Sequence, residues 1–395
     1  MFHIGMIVSE LAWPITLLIA WFIGELAYRW ARIPRISIYA ITGFILSATQ
    51  MGLLPSIQPP SILFLANIGF GLILFESGYR INLRWLIHNP WLAAASITEA
   101  SLTFGLVYLL VTFYGLASST CFLLASLSTA TSPATVVRVI NEQRSSGQVT
   151  ERSLHLSVLN CVFAVFIFKI VLGLVIFRNS GNLWEAAYSS LTVVLFSTVL
   201  GIIFGIVLPI VLKTVKTTCN DNTLAFAFAV ILLVALTHHL KLSPVLATLT
   251  FGLVSRHGRR VFNPSQRGFG TLGDLLSVIL FVFIAATIEW KRVVAGIGLG
   301  LAIIIVRQFA KITGVGIFAR ISGITLKKGL LTGLAMAPIS VFVILILEQT
   351  RYIGMDLVDT LAPLAMVTLT LELVGPIMVQ CALIWANEIP AIKEK

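Results

Sequence analysis

Ala130-Thr131-Ser132-Pro133-Ala134-Thr135-Val136-Val137, taken together with Ala337-Pro338-Ile339-Ser340, is the sequence whose reading decides the fold. Each stretch lies inside a long apolar run and sets a proline beside small polar residues. Proline lacks an amide donor and pushes the preceding residue out of the helical region, so each run is expected to break into two half-helices. The two prolines stand 205 residues apart. A lone proline in a membrane span is most simply a kink. Paired breaks at matching positions of two halves point instead to a carrier's substrate site, because half-helices ending in mid-membrane leave N–H and C=O groups that only protein, water or an ion can satisfy.

Composition leads to the same class. With 58% hydrophobic and 11% charged residues and a mean hydropathy of +0.99, the chain has too little polar surface for a water-soluble fold. Apolar runs of bilayer-crossing length give about 13 spans, near 6–27, 36–54, 60–79, 90–114, 118–140, 154–177, 184–212, 223–240, 242–255, 271–288, 293–318, 326–347 and 357–386. The net charge of +11 sorts by side. Loops after the odd spans carry Arg29, Arg32, Arg80, Arg84, Arg144, Arg152, Arg256, Arg259, Arg320 and Lys327, among others, whereas the opposite side holds Arg178, Lys241, Lys291, Arg292 and Arg351. This positive-inside pattern places the N-terminus outside and the C-terminus in the cytoplasm of a multi-pass inner (plasma) membrane protein, and it explains the basic excess without nucleic acid.

Met1 to Ala27 lacks a basic start and a small-residue cleavage site, so it reads as a retained first span. An odd span number suits two inverted repeats, residues 1–177 and 223–386, joined by a linker span at 184–212 within a single transmembrane domain of residues 1–395. The expected fold class is all-α integral membrane, with broken, crossing helices. Cys121, Cys161, Cys219 and Cys381 have neither disulfide nor metal-ligand spacing, so no metal is expected. The absence of a Walker sequence, a catalytic triad and any cofactor signature argues against a nucleotide-driven pump or an enzyme. Gly201, Gly205, Gly296, Gly298 and Gly300 read as packing residues.

Ala130 to Val137, followed by Arg138, Glu142, Thr150-Glu151-Arg152 and Leu159-Asn160-Cys161, resembles the core of monovalent cation:proton antiporters of the Kef-like and sodium:proton exchanger group. Gly71-Leu72-Ile73-Leu74-Phe75-Glu76-Ser77-Gly78 resembles that family's third span, and Glu372-Leu373-Val374-Gly375-Pro376 its last. The resemblance implies the sodium/proton antiporter fold, a homodimer in the lipid bilayer, and exchange of a monovalent cation, sodium or potassium, for a proton. It also implies ion contacts from Thr131, Ser132, Asn160 and the position of Cys161, with Ser340 at the second break. Members carry an aspartate in the sixth span because a dehydrated alkali ion needs a hard anionic oxygen. Here that position is Cys161, a soft and weakly acidic ligand.

Other intramembrane charges therefore have to be weighed. Glu372 lies near the middle of the last span and is either a proton carrier or the buried partner of a basic residue. Glu76 is read as pairing with Arg80, and Glu99 with the basic residues of span 11. Arg307 and Lys311, four apart on one face, are the expected charge-balancing pair, and Lys169 adds a third positive charge. His155 reads as an interfacial hydrogen-bonder, while His238 and His239 fall in a loop with Lys241. An excess of fixed positive charge would repel cations. Three alternatives therefore stay open: an anion carrier on the same scaffold, a cation path uncoupled from protons, and a non-transporting relative.

Overall fold

The computed structural model describes residues 4–55, 60–180, 183–214, 222–257, 270–340, 343 and 361–390. Among them sixteen helices and no strand are found. In chain order these are α1 (Ile4–Ala31), α2 (Arg35–Ile45), α3 (Pro60–Arg80), α4 (Leu83–His88), α5 (Pro90–Phe113), α6 (Ser118–Ser128), α7 (Pro133–Gln143) and α8 (Gln148–Ser180). There follow α9 (Leu183–Thr214), α10 (Asn222–His239), α11 (Pro244–His257), α12 (Gly270–Thr287), α13 (Trp290–Ala295), α14 (Ile297–Ile317), α15 (Leu326–Ala335) and α16 (Ala362–Trp385). Eight helical segments are long and apolar enough to cross a membrane, one of them the broken α6–α7 unit, and α2, α10 and α12 supply shorter apolar helices. The protein is a multi-pass membrane protein. Span 2 is shorter than its apolar run, because the chain leaves the helix at Ile45 and turns through Gly52 at φ +72°. His238 and His239 close α10 and do not lie in a loop. The second half of span 12 and Cys219 lie outside the described residues.

Helix ends follow local chemistry. The Asn82 side chain accepts from the Trp85 amide at the start of α4, Ser132 from Thr135 at α7, and Thr325 from Lys328 at α15. α7 stops at Arg144, which takes the left-handed conformation. The cap of α8 comes from far away: the Glu388 carboxylate accepts from the amides of Val149 (2.9 Å) and Thr150 (2.8 Å) and from the Thr150 hydroxyl (2.9 Å). A carboxylate there satisfies two orphan donors and meets the positive end of the helix dipole. Glu388→Ala is expected to cost about 1–2 kcal/mol. The expected signature is faster hydrogen exchange confined to the Val149 and Thr150 amides.

Two bodies of packing recur. α11 lies along α3 and α9, and α12 along α2 and α3; α14 lies along α5, α15 and α16, while α8 touches α5, α6 and α15. In the first body Phe75, Phe226 and Phe251 interlock, with ring centroids 4.7–5.9 Å apart. Helices approach closely where side chains vanish. A Cβ on Gly252 would lie 2.2 Å from the Phe75 carbonyl oxygen, and one on Gly78 2.3 Å from that of Leu249. Gly201, Gly205, Gly296 and Gly300 serve in the same way, whereas Gly298 faces open space. On α9 the opposite side is a stripe of exposed Leu191, Leu195, Val199, Ile203, Ile206 and Ile210, as expected of a lipid-facing surface. α7 ties the two bodies together at one end. Arg138 pairs with Asp274 on α12 (2.9 Å), Asn141 with Glu76 and Arg80 on α3, and Glu142 with Arg35 on α2 (3.3 Å).

Candidate functional site

The two breaks meet. Pro133 holds Ser132 extended, at φ −85° and ψ 103°, and turns its amide away from α6. That amide donates to the Pro338 carbonyl across 3.0 Å, so the first break is hydrogen-bonded to the second. Several carbonyls at the ends of α6 and α15 are left without a helical partner. One side chain takes four of them. Fully buried Arg307 of α14 donates from Nε to Ser128 (2.9 Å), from Nη1 to Ala337 (2.6 Å), and from Nη2 to Ala130 (2.7 Å) and Pro338 (3.3 Å). Its fork of five N–H groups suits a crowded set of acceptors, and its charge answers the negative ends of two half-helix dipoles.

One turn further on, fully buried Lys311 makes a second centre. Its three ammonium donors go to Glu99 Oε1 on α5 (2.5 Å), to Thr131 Oγ1 (2.9 Å) and to the Thr129 carbonyl (3.3 Å). Glu99 Oε1 also accepts from Thr103 Oγ1 (3.1 Å), and Oε2 from Asn160 Nδ2; Asn160 Oδ1 in turn accepts from Ser96 Oγ (2.7 Å). An ion pair taken wholly out of water is tolerable only with this many supplementary bonds. Close approach of α14 to α5 holds it in place, since a Cβ on Gly314 would sit 2.6 Å from the Glu99 Cα.

The residues singled out by sequence divide accordingly. Thr131, Asn160, Arg307 and Lys311 converge on the crossing, and Ser132 is there as the α7 cap, its hydroxyl also accepting from Thr135 Oγ1 (3.0 Å). Cys161 is fully buried, and its thiol lies beside the Ser340 hydroxyl; no hydrogen bond joins it to Glu99. Glu372 is buried on α16, and both its oxygens lack hydrogen-bond partners among the described residues, as does the Thr368 hydroxyl one turn away. Its place is close to the second break, because Gly375, three residues on, packs against Pro338. Glu76 pairs with Arg80 at 2.8 Å, and His155 accepts from the Asn82 amide at 3.1 Å. Sequence reasoning left Ser96, Thr103 and Thr129 unnoticed and gave Glu99 only a pairing role. The available signal was the spacing Ser96, Glu99, Thr103, which lines three polar groups on one face of an apolar helix.

The sequence pattern of the sodium/hydrogen exchanger family, transmembrane region, matches residues 15–385. Two solved structures of the sodium proton antiporter MjNhaP1 of Methanocaldococcus jannaschii share the fold. One, at pH 8, superimposes with a TM-score of 0.70 at 17% identity, over 97% of this chain and 98% of the other. The second, an electron-microscopy map, gives a TM-score of 0.71 at 17% identity, over 98% and 97%. No curated protein sequence matches the chain.

Proposed function

We propose, for a chain that belongs to the sodium/hydrogen exchanger family, that it exchanges a monovalent cation for a proton by alternating access at the crossing of its two broken helices. The observation that carries this reading is the bond from Ser132 to Pro338 with Arg307 on the carbonyls of both breaks. It fixes backbone dipoles, polar side chains and one buried acid at a single locus inside an otherwise apolar bundle. Sodium or potassium is the proposed cation. Thr131 and Asn160 are its nearest side-chain ligands, Ser132 and the break carbonyls border the path, Cys161 and Ser340 form a polar wall beside it, and Glu372 is the candidate proton carrier. The repeats proposed are 1–177 and 223–386, with 184–212 as linker. The asymmetry of the basic loops supports a plasma-membrane protein with its C-terminus in the cytoplasm, and the family resemblance supports a homodimer.

The anion-carrier alternative rested on an excess of buried positive charge. That excess is largely used up in the fold. Arg307 is committed to four carbonyls and Lys311 to Glu99, so neither is available as an anion receptor. The test is reconstitution in liposomes enclosing a pH dye, with Na+, K+ or Li+ added in turn and choline as control. Proton flux that depends on an alkali cation is the expected result. Proton flux absent with all three cations would overturn the reading. In that event, activity in Cys161→Asp would identify the chain as a fold that has lost its coupling acid.

A further inference from the structure

We propose that Glu99 on α5 is the carboxylate at which this carrier binds its cation, in the role that the family resemblance assigns to the position of Cys161, and that the Lys311 ammonium is a built-in competitor for the same seat. The inference rests on the antiport reading and names the ligands of that site.

The geometry already describes a seat for a monovalent cation. Glu99 Oε1, Thr131 Oγ1 and the Thr129 carbonyl converge on a single point, which the Lys311 nitrogen occupies at 2.5, 2.9 and 3.3 Å. One ligand is anionic, one is a hydroxyl and one is a freed carbonyl at a helix break, and all are hard oxygens of the kind alkali ions require. An ammonium and a dehydrated potassium ion are alike in charge and in size. The remaining oxygen, Oε2, is held by Asn160, itself fixed by Ser96, so the carboxylate is aimed and cannot rotate away. Cys161 is a poor candidate for the same task because sulfur is a soft ligand for alkali ions, and its neighbour is Ser340. Glu372 has no hydrogen-bond partner among the described residues, so no converging set of groups is seen at its carboxylate there. Glu76 is occupied by Arg80 and Asn141 at the far end of α7.

A purely structural ion pair and a cation seat predict opposite outcomes when the lysine is removed. In Lys311→Gln the buried carboxylate loses its bonded counter-charge, with Arg307 committed to the break carbonyls, so a bound alkali ion becomes its natural partner. The experiment is the thermal shift of purified protein on adding NaCl, KCl or LiCl against choline chloride at equal ionic strength, a readout of binding that needs no transport. Wild type should be stabilised by at least one alkali ion. Lys311→Gln should be stabilised by the same ion at concentrations lower by about tenfold or more, because its competitor is gone. Glu99→Gln should lose the shift, and Glu99→Asp should keep it with an affinity weakened by about tenfold, the loss of one good contact. Glu289→Gln, at a half-buried carboxylate that pairs with Arg292 away from this seat, should behave as wild type. The inference is overturned if wild type shows no alkali-dependent shift, if Glu99→Gln keeps it, or if Lys311→Gln melts early with no rescue by cation. Should Glu99→Gln fail to fold, an unchanged affinity in Glu99→Asp would overturn it equally. Loss of proton flux with the alkali shift intact would count against the antiport reading and leave the seat at Glu99 in place.

Discussion

Arg307→Ala is expected to give little or no monodisperse protein in detergent. The substitution strips the carbonyls of Ser128, Ala130 and Ala337 of their donor and leaves Pro338 only the Ser132 amide, in a place that water does not reach. Each buried acceptor left unpaired costs about 1–3 kcal/mol, so the total is on the order of 5 kcal/mol, comparable with the whole stability of many folds. Arg307→Lys should fall between, because an ammonium brings charge and three donors but cannot span four acceptors as the planar fork does. Size-exclusion profiles and melting temperatures of the three proteins check this. An alanine variant as stable as wild type would show that the break carbonyls find other partners.

Gly314→Ala is expected to abolish cation-dependent proton flux while leaving a folded protein. The added Cβ would meet the Glu99 Cα at 2.6 Å and its backbone nitrogen at 3.1 Å, so α14 must withdraw from α5. Overpacking of this kind costs about 1–3 kcal/mol. The functional cost is larger than the stability cost, because the shift separates Lys311 from Glu99 and disturbs the convergence of Thr131 and Thr129 on one point. Loss of flux measured in liposomes, with a melting temperature lowered by only a few degrees, is the outcome to look for. Gly298→Ala, at a glycine that faces open space, is the matched control and should transport normally.

Composition and hydrophobic runs sufficed to place the chain in a bilayer, because backbone satisfaction in lipid leaves little besides helices. The two prolines located the breaks within a residue or two, since loss of an amide and the clash before proline are local effects. Arg307 and Lys311 were visible as charges that have no business in an apolar helix, and Glu76 with Arg80 as a pair four residues apart. What those charges face was not legible. Nothing local distinguishes Arg307, which binds only carbonyls, from Lys311, which binds a carboxylate, though they stand one turn apart on the same helix.

The same holds for the acid. The family resemblance drew attention to Asn160 and Cys161 and made the missing aspartate conspicuous, whereas Glu99 lay in a different span, 61 residues earlier than the asparagine that holds it. Sequence by itself determined that this chain crosses the membrane many times, that two of its spans are broken, and which buried charges had to be accounted for, because each of these follows from the chemistry of a residue and its near neighbours. Only the tertiary structure decided that the breaks bond to one another, that Arg307 is committed to them, and that Glu99 stands against Lys311. Those pairings depend on helix directions and depths, and a buried charge is stabilised by whatever the fold brings within about 3 Å, however far away it lies in sequence.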